Sequence, residues 1–296
     1  MTTVGVFARP GLKEAGPVVA ELAAWLSARG ARVCLEQGTA ALSGTGLAEG
    51  CLVASGRDMA DVSDALVVLG GDGTLLAASR LLEKTIPVLG VNFGSLGFLT
   101  EITLAELYPA LEGVLEGRHQ HEERRLLRAI VHRRSREQLT ADVLNDVVIT
   151  KAGPSRVIEL DVFVDGLFVS SFRADGIIVS SPTGSTAYNL AAGGPILYPT
   201  LPAVVVTPIC PHMLTNRPLV VSDEARVQVQ LRAARDVEVY AALDGQETFA
   251  FADGDYVEST GSPRRLELVK APGRDYYQVL RSKLKWGEAG ATNRRP

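Results

Sequence analysis

The first 120 residues alternate short apolar runs with segments of helical periodicity. Strand-like runs occupy residues 3–8, 31–36, 64–69 and 86–92, and helical patterns cover residues 16–30, 74–84 and 103–117. After its first residue the run 64–69, DALVVL, is wholly apolar, which is typical of a parallel strand buried on both faces. This alternation predicts an α/β domain built on a parallel sheet. The stretch 38–57, rich in Gly, Ala and Ser, is predicted to be a loop.

The pattern changes near residue 120. Strand signals dominate from there to about residue 270, and Asp165-Gly166 between two apolar runs predicts a hairpin turn. The sequence therefore predicts an N-terminal parallel-sheet α/β domain over residues 1–120 and a C-terminal antiparallel, β-rich domain over residues 121–271. One short helix is expected just after the stretch SPTGS.

The last residues form a tail, 272–296. Its stretch 275–286, DYYQVLRSKLKW, fits a final helix or strand that packs back on the first domain. Residues 287–296 are predicted to fray.

Composition argues against several classes of function. The formal net charge of −4 gives no reason to expect the basic face of a protein that binds duplex nucleic acid. The three cysteines, Cys34, Cys51 and Cys210, form no CxxC pair, and the four histidines have no spacing that suggests zinc. No apolar run approaches the ~20 residues that span a bilayer, and the N-terminus lacks the basic region of a signal peptide. We expect a cytoplasmic protein without nucleic-acid or membrane partners.

Residues 70–74 read GGDGT and directly follow the predicted strand 64–69. A strand, a glycine-rich turn and a helix form a phosphate-binding arrangement, because the backbone amides stay open and the helix N-terminus attracts anions. The residues predicted to bind a phosphate donor are Gly70, Gly71, Gly73 and Thr74. The sequence contains no GxxxxGK[ST], no GxGxxG after a strand and no HRD or DFG set, which excludes the Walker loop, the usual dinucleotide fingerprint and the protein kinases.

Asp72 is unexpected in such a turn, because a carboxylate repels phosphate. It could hold Mg²⁺ that accompanies the phosphates, or it could accept a proton from a hydroxyl that attacks one of them. Phosphoryl transfer asks mainly for positioning and charge neutralisation, so a modest base suffices. The plain alternative is an ordinary turn in which Asp72 starts a helix.

Four stretches carry a resemblance to a known family. GGDGTLL (70–76) resembles a signature shared by NAD kinases, by diacylglycerol and sphingosine kinases and, more loosely, by phosphofructokinases. GVNFGSLGFLTE (90–101), DGIIVSSPTGSTAYNLAAGGPI (175–196) and TPICPHMLTNRPLV (207–220) are similar to NAD kinase motifs and lie in that family's order. The resemblance covers nearly the whole chain.

The resemblance implies a phosphotransferase with an alcohol group as acceptor. The family transfers the terminal phosphoryl group of ATP, or of polyphosphate in some members, to the adenosine 2′-hydroxyl of NAD and produces NADP. It implies that Asp72 is the proton acceptor, that Mg²⁺ arrives with ATP rather than in a dedicated protein site, and that the chain forms a homodimer or homotetramer. The residues that it places around NAD are Asp72, Gly73, Phe93, Asn145, Asp146, Arg156, Arg173, Asp175, Thr183, Thr186, Ala187, Tyr188, Asn189, Leu190, Ala191 and Gln246.

Several of these residues also have simpler interpretations. Asn145-Asp146 could mark a bulge or strand edge, Phe93 could be a core residue, and Gln246 could be a hairpin residue after Asp244-Gly245. The two arginines, Arg156 and Arg173, could be solvated strand residues, and residues 186–191 could be an ordinary helix start.

The chain departs from the family pattern at three positions. Asp146 stands where Glu is common, Ser181 where Thr is common, and Ala77 where a basic or polar residue is common, with Arg80 one helical step further. The sequence leaves open the choice between ATP and polyphosphate and between NAD and NADH. A lipid or sphingoid kinase that shares GGDGT, and a sensor that binds NAD(P) without turnover, are the alternative functions.

Overall fold

The computed structural model describes residues 2–44, 50–94, 96–134, 138–153, 156–233 and 237–286. The chain forms two compact units. The first combines Met1–Glu122 with Leu266–Pro296, and the second is Glu123–Arg265. The predicted frayed end, 287–296, lies outside the described residues.

The first unit begins with alternating strands and helices. Its strands are β1 (Thr3–Ala8), β2 (Arg32–Glu36), β3 (Leu52–Ala54), β4 (Ala65–Leu69), β5 (Pro87–Asn92) and β6 (Ile102–Thr103). Its helices are α1 (Ala15–Ala28), α2 (Gln37–Ser43), α3 (Gly56–Val62), α4 (Asp72–Ser79) and α5 (Leu107–Leu115), the last preceded by a 3₁₀ turn, Leu104–Glu106.

These strands form a parallel sheet in the order β3, β2, β1, β4, β5. Every residue of β4 is buried, as expected for a central strand covered on both faces. Val6 of β1, Val67 of β4 and Leu89 of β5 are fully buried and share one core with Leu22 of α1. The predicted parallel α/β architecture is confirmed.

The prediction of a loop over residues 38–57 is wrong for the described part of this stretch; residues 45–49 lie outside the described residues. This stretch contains most of α2, all of β3 and the start of α3. Both helices are short and begin at side-chain caps: Glu36 accepts a hydrogen bond from the Thr39 N–H at 2.9 Å, and Ser55 accepts one from the Asp58 N–H at 3.3 Å. Seven residues are too few for a clear helical period, so local capping sets these helices and the apolar pattern does not reveal them.

The second unit is built almost entirely of strands. They are β7 (His121–His132), which begins in the first unit, β8 (Gln138–Val143), β9 (Asp146–Lys151), β10 (Ile158–Val164), β11 (Leu167–Ala174), β12 (Gly176–Ser180), β13 (Ala203–Ile209), β14 (Leu219–Ser222), β15 (Val227–Ala233), β16 (Val239–Leu243), β17 (Glu247–Ala250) and β18 (Tyr256–Val269), which ends in the first unit. The predicted short helix is present as a 3₁₀ turn, Gly184–Thr186, followed by α6 (Tyr188–Ala191).

Two sets of antiparallel strands make up this unit. One has the order β14, β13, β12, β9, β16, β17, and the other places β11, β10, β15 and β18 side by side, with β7 pairing with β18 and β8. Side chains from both sets, among them Ile149, Val179, Leu160 and Val229, form one buried core. The predicted hairpin turn is present at Asp165-Gly166, where both residues have positive φ, 51° and 79°.

The chain then returns to the first unit. Glu267 and Leu268 of β18 pair in parallel with Pro87 and Val88 of β5. The tail forms α7 (Tyr276–Leu284), and Arg274 just before it binds Glu106 at 3.1 Å. No helix in the described part of the chain is long and apolar enough to cross a bilayer.

Thr39 joins α2 to the sheet and yields a stability prediction. Its buried Oγ1 accepts a hydrogen bond from the N–H of Ala8 at 2.8 Å. Thr39→Val should lower the free energy of unfolding by about 1–3 kcal/mol, because it leaves that buried N–H without its acceptor. Thr39→Ser keeps the hydroxyl and should lose less. Urea denaturation checks the pair, and equal stability of the two variants would contradict the prediction.

Candidate functional site

The GGDGT turn lies where β4 ends and α4 begins. Gly70 donates its N–H to the carbonyl of Val91 at 2.9 Å, and a Cβ added at Gly70 would lie 2.5 Å from Thr74 Oγ1. A Cβ added at Gly71 or at Gly73 would meet no atom of the described residues within 4 Å. Close packing therefore requires the first glycine, whereas the backbone of the other two faces open space.

Four donors from one segment hold the Asp72 carboxylate. Its Oδ1 accepts hydrogen bonds from the N–H of Leu99, the N–H of Thr100 and the hydroxyl of Thr100, each at 3.0 Å. Its Oδ2 accepts one, from the N–H of Phe98 at 2.8 Å. A side chain at Gly97 would collide with this carboxylate. The orientation of Asp72 is thus fixed, and Oδ2 keeps the larger remaining capacity to accept a hydrogen bond.

A cavity of about 470 Å³ opens beside the turn within the first unit. Gly70, Gly71 and Phe93 line it, together with the oppositely charged Arg9 and Glu14. Phe93 is half-buried and also packs against the core of this unit. The core interpretation and the site interpretation of Phe93 therefore both agree with its position. Ser95, which belongs to the same motif, lies outside the described residues.

Three turns of the second unit converge, and we name them the three-turn cluster: residues 144–146, 180–185 and 244–246. Asp244 connects the first turn to the third. Its carboxylate accepts hydrogen bonds from the N–H groups of Leu144 at 2.9 Å, Asn145 at 2.7 Å and Asp146 at 3.1 Å. Asp244 itself has a positive φ of 53° in the hairpin turn before β17. This carboxylate therefore fixes the backbone that presents Asn145 and Asp146.

The middle turn of the three-turn cluster joins the first through Ser181. Its hydroxyl donates to the carbonyl of Leu144 at 2.5 Å, and its N–H donates to the carbonyl of Asn145 at 2.8 Å. A Cβ at Gly184 would collide with the Asn145 backbone, so only glycine fits there. Three segments that are distant in the chain are thus tied together by hydrogen bonds, within one unit.

Asp146 is buried beside a second carboxylate. It is 5% exposed. Desolvation raises its pKa to about 7, and the negative charge of Asp244 contributes to the rise. Near neutral pH its carboxyl therefore exchanges between a protonated form, which can donate a hydrogen bond, and an ionised form, which can only accept.

The stretch 183–191 contains both buried residues that pack in the core and residues that are accessible to solvent. Asn189 is fully buried and its amide is used internally: Nδ2 donates to the carbonyls of Ser185 and Pro195, each at 3.0 Å, and Oδ1 accepts from the Thr207 hydroxyl at 2.6 Å. The hydroxyl of Thr183 is buried and has no hydrogen-bond partner among the described residues. Thr186, Ala187 and Leu190 are half-buried, and Ala191 is exposed.

Tyr188 lies near several predicted site residues. It is 43% exposed. Desolvation raises the pKa of Tyr188, and its electrostatic interactions with Cys210, Asp175 and Asp146 raise it further, since these three side chains lie close to it. Asp175 in turn forms an ion pair with Lys151 at 2.8 Å.

The remaining predicted residues lie at the surface of the second unit. Arg156, Arg173 and Gln246 are exposed, and Gln246 lies in the hairpin turn as its simpler interpretation suggested. The carbonyl of Arg173 accepts a hydrogen bond from the N–H of His212 at 2.9 Å, which joins it to the stretch 207–220.

Sequence reasoning missed the residues that hold the site in place. Phe98–Thr100 bind Asp72 through backbone N–H groups, which no side-chain pattern reveals. Asp244 looked like half of an Asp-Gly turn, and its second role depends on pairing between β9 and β16. Lys151 is a polar residue at the end of the apolar run of β9. This position is visible in the sequence, but it does not indicate that Lys151 pairs with Asp175.

Comparison with known proteins identifies the family. The ATP-NAD kinase N-terminal domain matches residues 4–119, and the ATP-NAD kinase C-terminal domain matches residues 144–271. An NAD kinase of Geotalea daltonii is 45% identical and one of Citrifermentans bemidjiense is 46% identical, each over 97% of this chain and 100% of its own length. The chain belongs to the NAD kinase family. No observation favours the lipid-kinase or sensor alternatives.

Solved NAD kinase structures share the fold. A yeast NADH kinase in complex with NADH has a TM-score of 0.88 and 24% identity, with coverage of 100% of this chain and 90% of its own. An NAD kinase from Archaeoglobus fulgidus in complex with ATP has a TM-score of 0.74 and 24% identity, with coverage of 97% and 100%. The predicted combination of a parallel α/β part and an antiparallel β-rich part is confirmed for this member of the NAD kinase family.

The buried Asp146 of this NAD kinase family member predicts a pH dependence of stability. The unfolded chain releases this proton near pH 4, whereas the folded chain keeps it until about pH 7. The contribution of Asp146 is therefore fully present below pH 4 and falls by on the order of 1 kcal/mol per pH unit up to about pH 7. Asp146→Asn, which resembles the protonated form, should flatten the pH dependence of the free energy of unfolding over this window.

Urea denaturation from pH 4 to pH 8 measures this effect. Asp253→Asn, at an exposed carboxylate of the same unit, is the control and should keep the wild-type slope. If Asp146→Asn also keeps that slope, Asp146 is ionised throughout the window and the prediction is wrong.

Proposed function

We propose that this chain is an NAD kinase that transfers the terminal phosphoryl group of ATP to the adenosine 2′-hydroxyl of NAD and produces NADP. The observation that carries the proposal is the fixed carboxylate of Asp72 in the GGDGT turn, in a chain that belongs to the NAD kinase family over both matched domains. The relatives at 45% and 46% identity are themselves NAD kinases.

Asp72 is the proposed proton acceptor. Three of its four hydrogen-bond donors bind Oδ1 and one binds Oδ2, so the proton of the 2′-hydroxyl goes to Oδ2. The hydroxyl oxygen forms a bond to the terminal phosphorus as the bond from that phosphorus to the leaving ADP oxygen breaks. A carboxylate that cannot rotate holds the hydroxyl in one direction, and positioning is the main requirement of phosphoryl transfer.

The turn around Asp72 suits the donor phosphates. The N–H groups of Asp72 and Gly73 precede the first hydrogen bond of α4, which Thr74 donates to the carbonyl of Gly71 at 2.9 Å. Gly71 and Gly73 leave the space in front of them open. We propose that these amides bind the phosphates of ATP, with Arg9 adding positive charge on the wall of the neighbouring cavity.

Mg²⁺ enters this proposal as part of the substrate. The Oδ1 of Asp72 is occupied by three donors, which leaves little capacity there for a metal ion. A cation carried by the ATP phosphates neutralises charge on the transferred group. We therefore place Mg²⁺ on ATP and not in a site built by the protein.

The three-turn cluster and its neighbours are proposed to bind the dinucleotide. Asn145 and Asp146 offer amide and carboxyl groups to a ribose diol. The hydroxyl of Thr183, which has no partner among the described residues, offers one more hydrogen bond. Tyr188 presents an exposed ring on which a base can stack. Asn189, whose amide is fully used, acts by holding the stretch 186–191 in place.

We further propose that the protein works in the cytoplasm as a homodimer or homotetramer. Strand β11 is an edge strand of the sheet formed by the described residues, and its first two residues, Leu167 and Phe168, are 74% and 60% exposed. An exposed apolar edge strand is a ready surface for pairing with another chain. Light scattering on the purified protein gives the number of subunits.

Asp72→Asn tests the reaction. The variant should lose at least about a thousandfold in NADP formation, because an amide cannot take the proton, while NAD affinity stays near normal. Its oxygen can still accept the three donors that bind Oδ1, so the fold should persist with a loss of about 1 kcal/mol. NADP formation, NAD binding by calorimetry and thermal unfolding are measured on the same preparation.

Asp64→Asn is the matched control. Asp64 lies just before β4, whereas Asp72 lies just after it. Like Asp72, Asp64 accepts a hydrogen bond from a backbone N–H, that of Thr3, at 2.8 Å. This control should keep wild-type turnover. An Asp72→Asn protein that still makes NADP at the control rate would overturn the role of Asp72. A wild type that makes no NADP with ATP or polyphosphate, from NAD or NADH, would overturn the kinase assignment itself.

A further inference from the structure

His119, His121 and Glu267 form a cluster in the first unit that the proposed reaction does not use. Their ligand atoms all lie within 4.8 Å of one another. His119 Nε2 is 2.8 Å from Glu267 Oε1, and His121 Nδ1 is 3.5 Å from the same oxygen. We infer that these three residues bind a zinc ion, with a fourth position open to solvent.

The backbone already brings the three side chains to one place. His119 and His121 are two residues apart, and in an extended segment such residues point to the same face. The carbonyl of Gln120 between them accepts a hydrogen bond from the N–H of Lys270 at 2.9 Å, which fastens this segment beside the end of β18. Glu267 is held by its pairing with Pro87 of β5. The ligands therefore need only side-chain adjustment to close around an ion.

The distances fit a tetrahedral metal. Zinc binds imidazole nitrogen and carboxylate oxygen at about 2.0–2.2 Å, which places neighbouring ligand atoms about 3.4 Å apart. The pair formed by His121 and Glu267 already has this separation, and the closer pair formed by His119 and Glu267 must open by about half an ångström. Two imidazoles select zinc over Mg²⁺ or Ca²⁺, which prefer oxygen ligands.

Burial leaves one side of the cluster accessible. The side chains of His119 and Glu267 are 14% and 18% exposed, whereas that of His121 is 43% exposed. Two features weaken binding. The Nδ1 of His119 is buried without a hydrogen-bond partner among the described residues, and Lys270 and Arg118 line an adjoining cavity. We expect micromolar rather than nanomolar affinity.

The cluster is separate from the GGDGT turn. Glu267 pairs with the first residue of β5, whereas Asp72 is bound by the segment that follows the last residue of β5. Leu99 and Thr100 of that segment lie against Gly90, which is three residues, or roughly 10 Å, along β5 from Pro87. The expectation from sequence, that the histidines have no zinc spacing, overlooked this set because Glu267 is 148 residues from His119 in the chain.

Zinc titration without nucleotide tests the proposal. The full chain, carrying Cys210→Ser to remove the exposed thiol, should bind one Zn²⁺, show the visible absorption of tetrahedral Co²⁺ when that ion is used, and unfold at a higher temperature with Zn²⁺. His121→Gln should weaken Zn²⁺ binding at least about tenfold and abolish the Co²⁺ spectrum. An excess of Mg²⁺ should not displace the ion.

His132→Gln in the same background is the matched control. His132 Nε2 lies 3.0 Å from Glu258, so this residue forms a similar pair in the second unit, outside the metal cluster. The control should keep wild-type Zn²⁺ affinity. Equal loss in both variants, unchanged binding in His121→Gln, or no binding by the parent would each overturn the site. The experiment measures metal binding alone, so its result does not depend on whether the protein has kinase activity.

Discussion

In each unit, a carboxylate that accepts hydrogen bonds from backbone N–H groups holds a segment of the candidate site. Asp72 binds three N–H groups and one hydroxyl from Phe98–Thr100, and Asp244 binds three N–H groups from residues 144–146. The donors lie in the connections between strands: Phe98–Thr100 precede β6, and residues 144–146 lead from β8 into β9. A buried N–H without a partner is costly, and one short acidic side chain offers four lone pairs within a single turn. The backbone conformation of both segments therefore depends on these two carboxylates.

The order of most strands and helices could be predicted from the sequence, because it depends on the periodicity of apolar residues. The uniformly apolar β4 and the hairpin turn at Asp165-Gly166 were visible as patterns, and both are present. Helices α2 and α3 were not visible, because they depend on the caps Glu36 and Ser55 and not on an apolar stripe.

The candidate site was predictable only as a set of motifs. GGDGT and SPTGSTAY mark segments of the candidate site, and the family resemblance supplied their proposed roles. What ties Asn145 to Ser181 and to Asp244 is strand pairing across long chain separations, which local spacing does not contain. This arrangement buries Asp146 beside a second acid, Asp244. As a result, the pKa of Asp146 lies far above the ordinary range for an aspartate.

The first unit consists of two separate chain segments, and this has a consequence for how the protein is made. The edge of β5 beside Pro87 is covered only when Glu267 and Leu268 have been synthesised. During synthesis on the ribosome, the first unit therefore remains incomplete, with that edge of β5 unpaired, until the entire second unit has been made. Such long-range closure slows folding and exposes the nascent chain to misassociation, so chaperone demand should be concentrated in this interval and not after release.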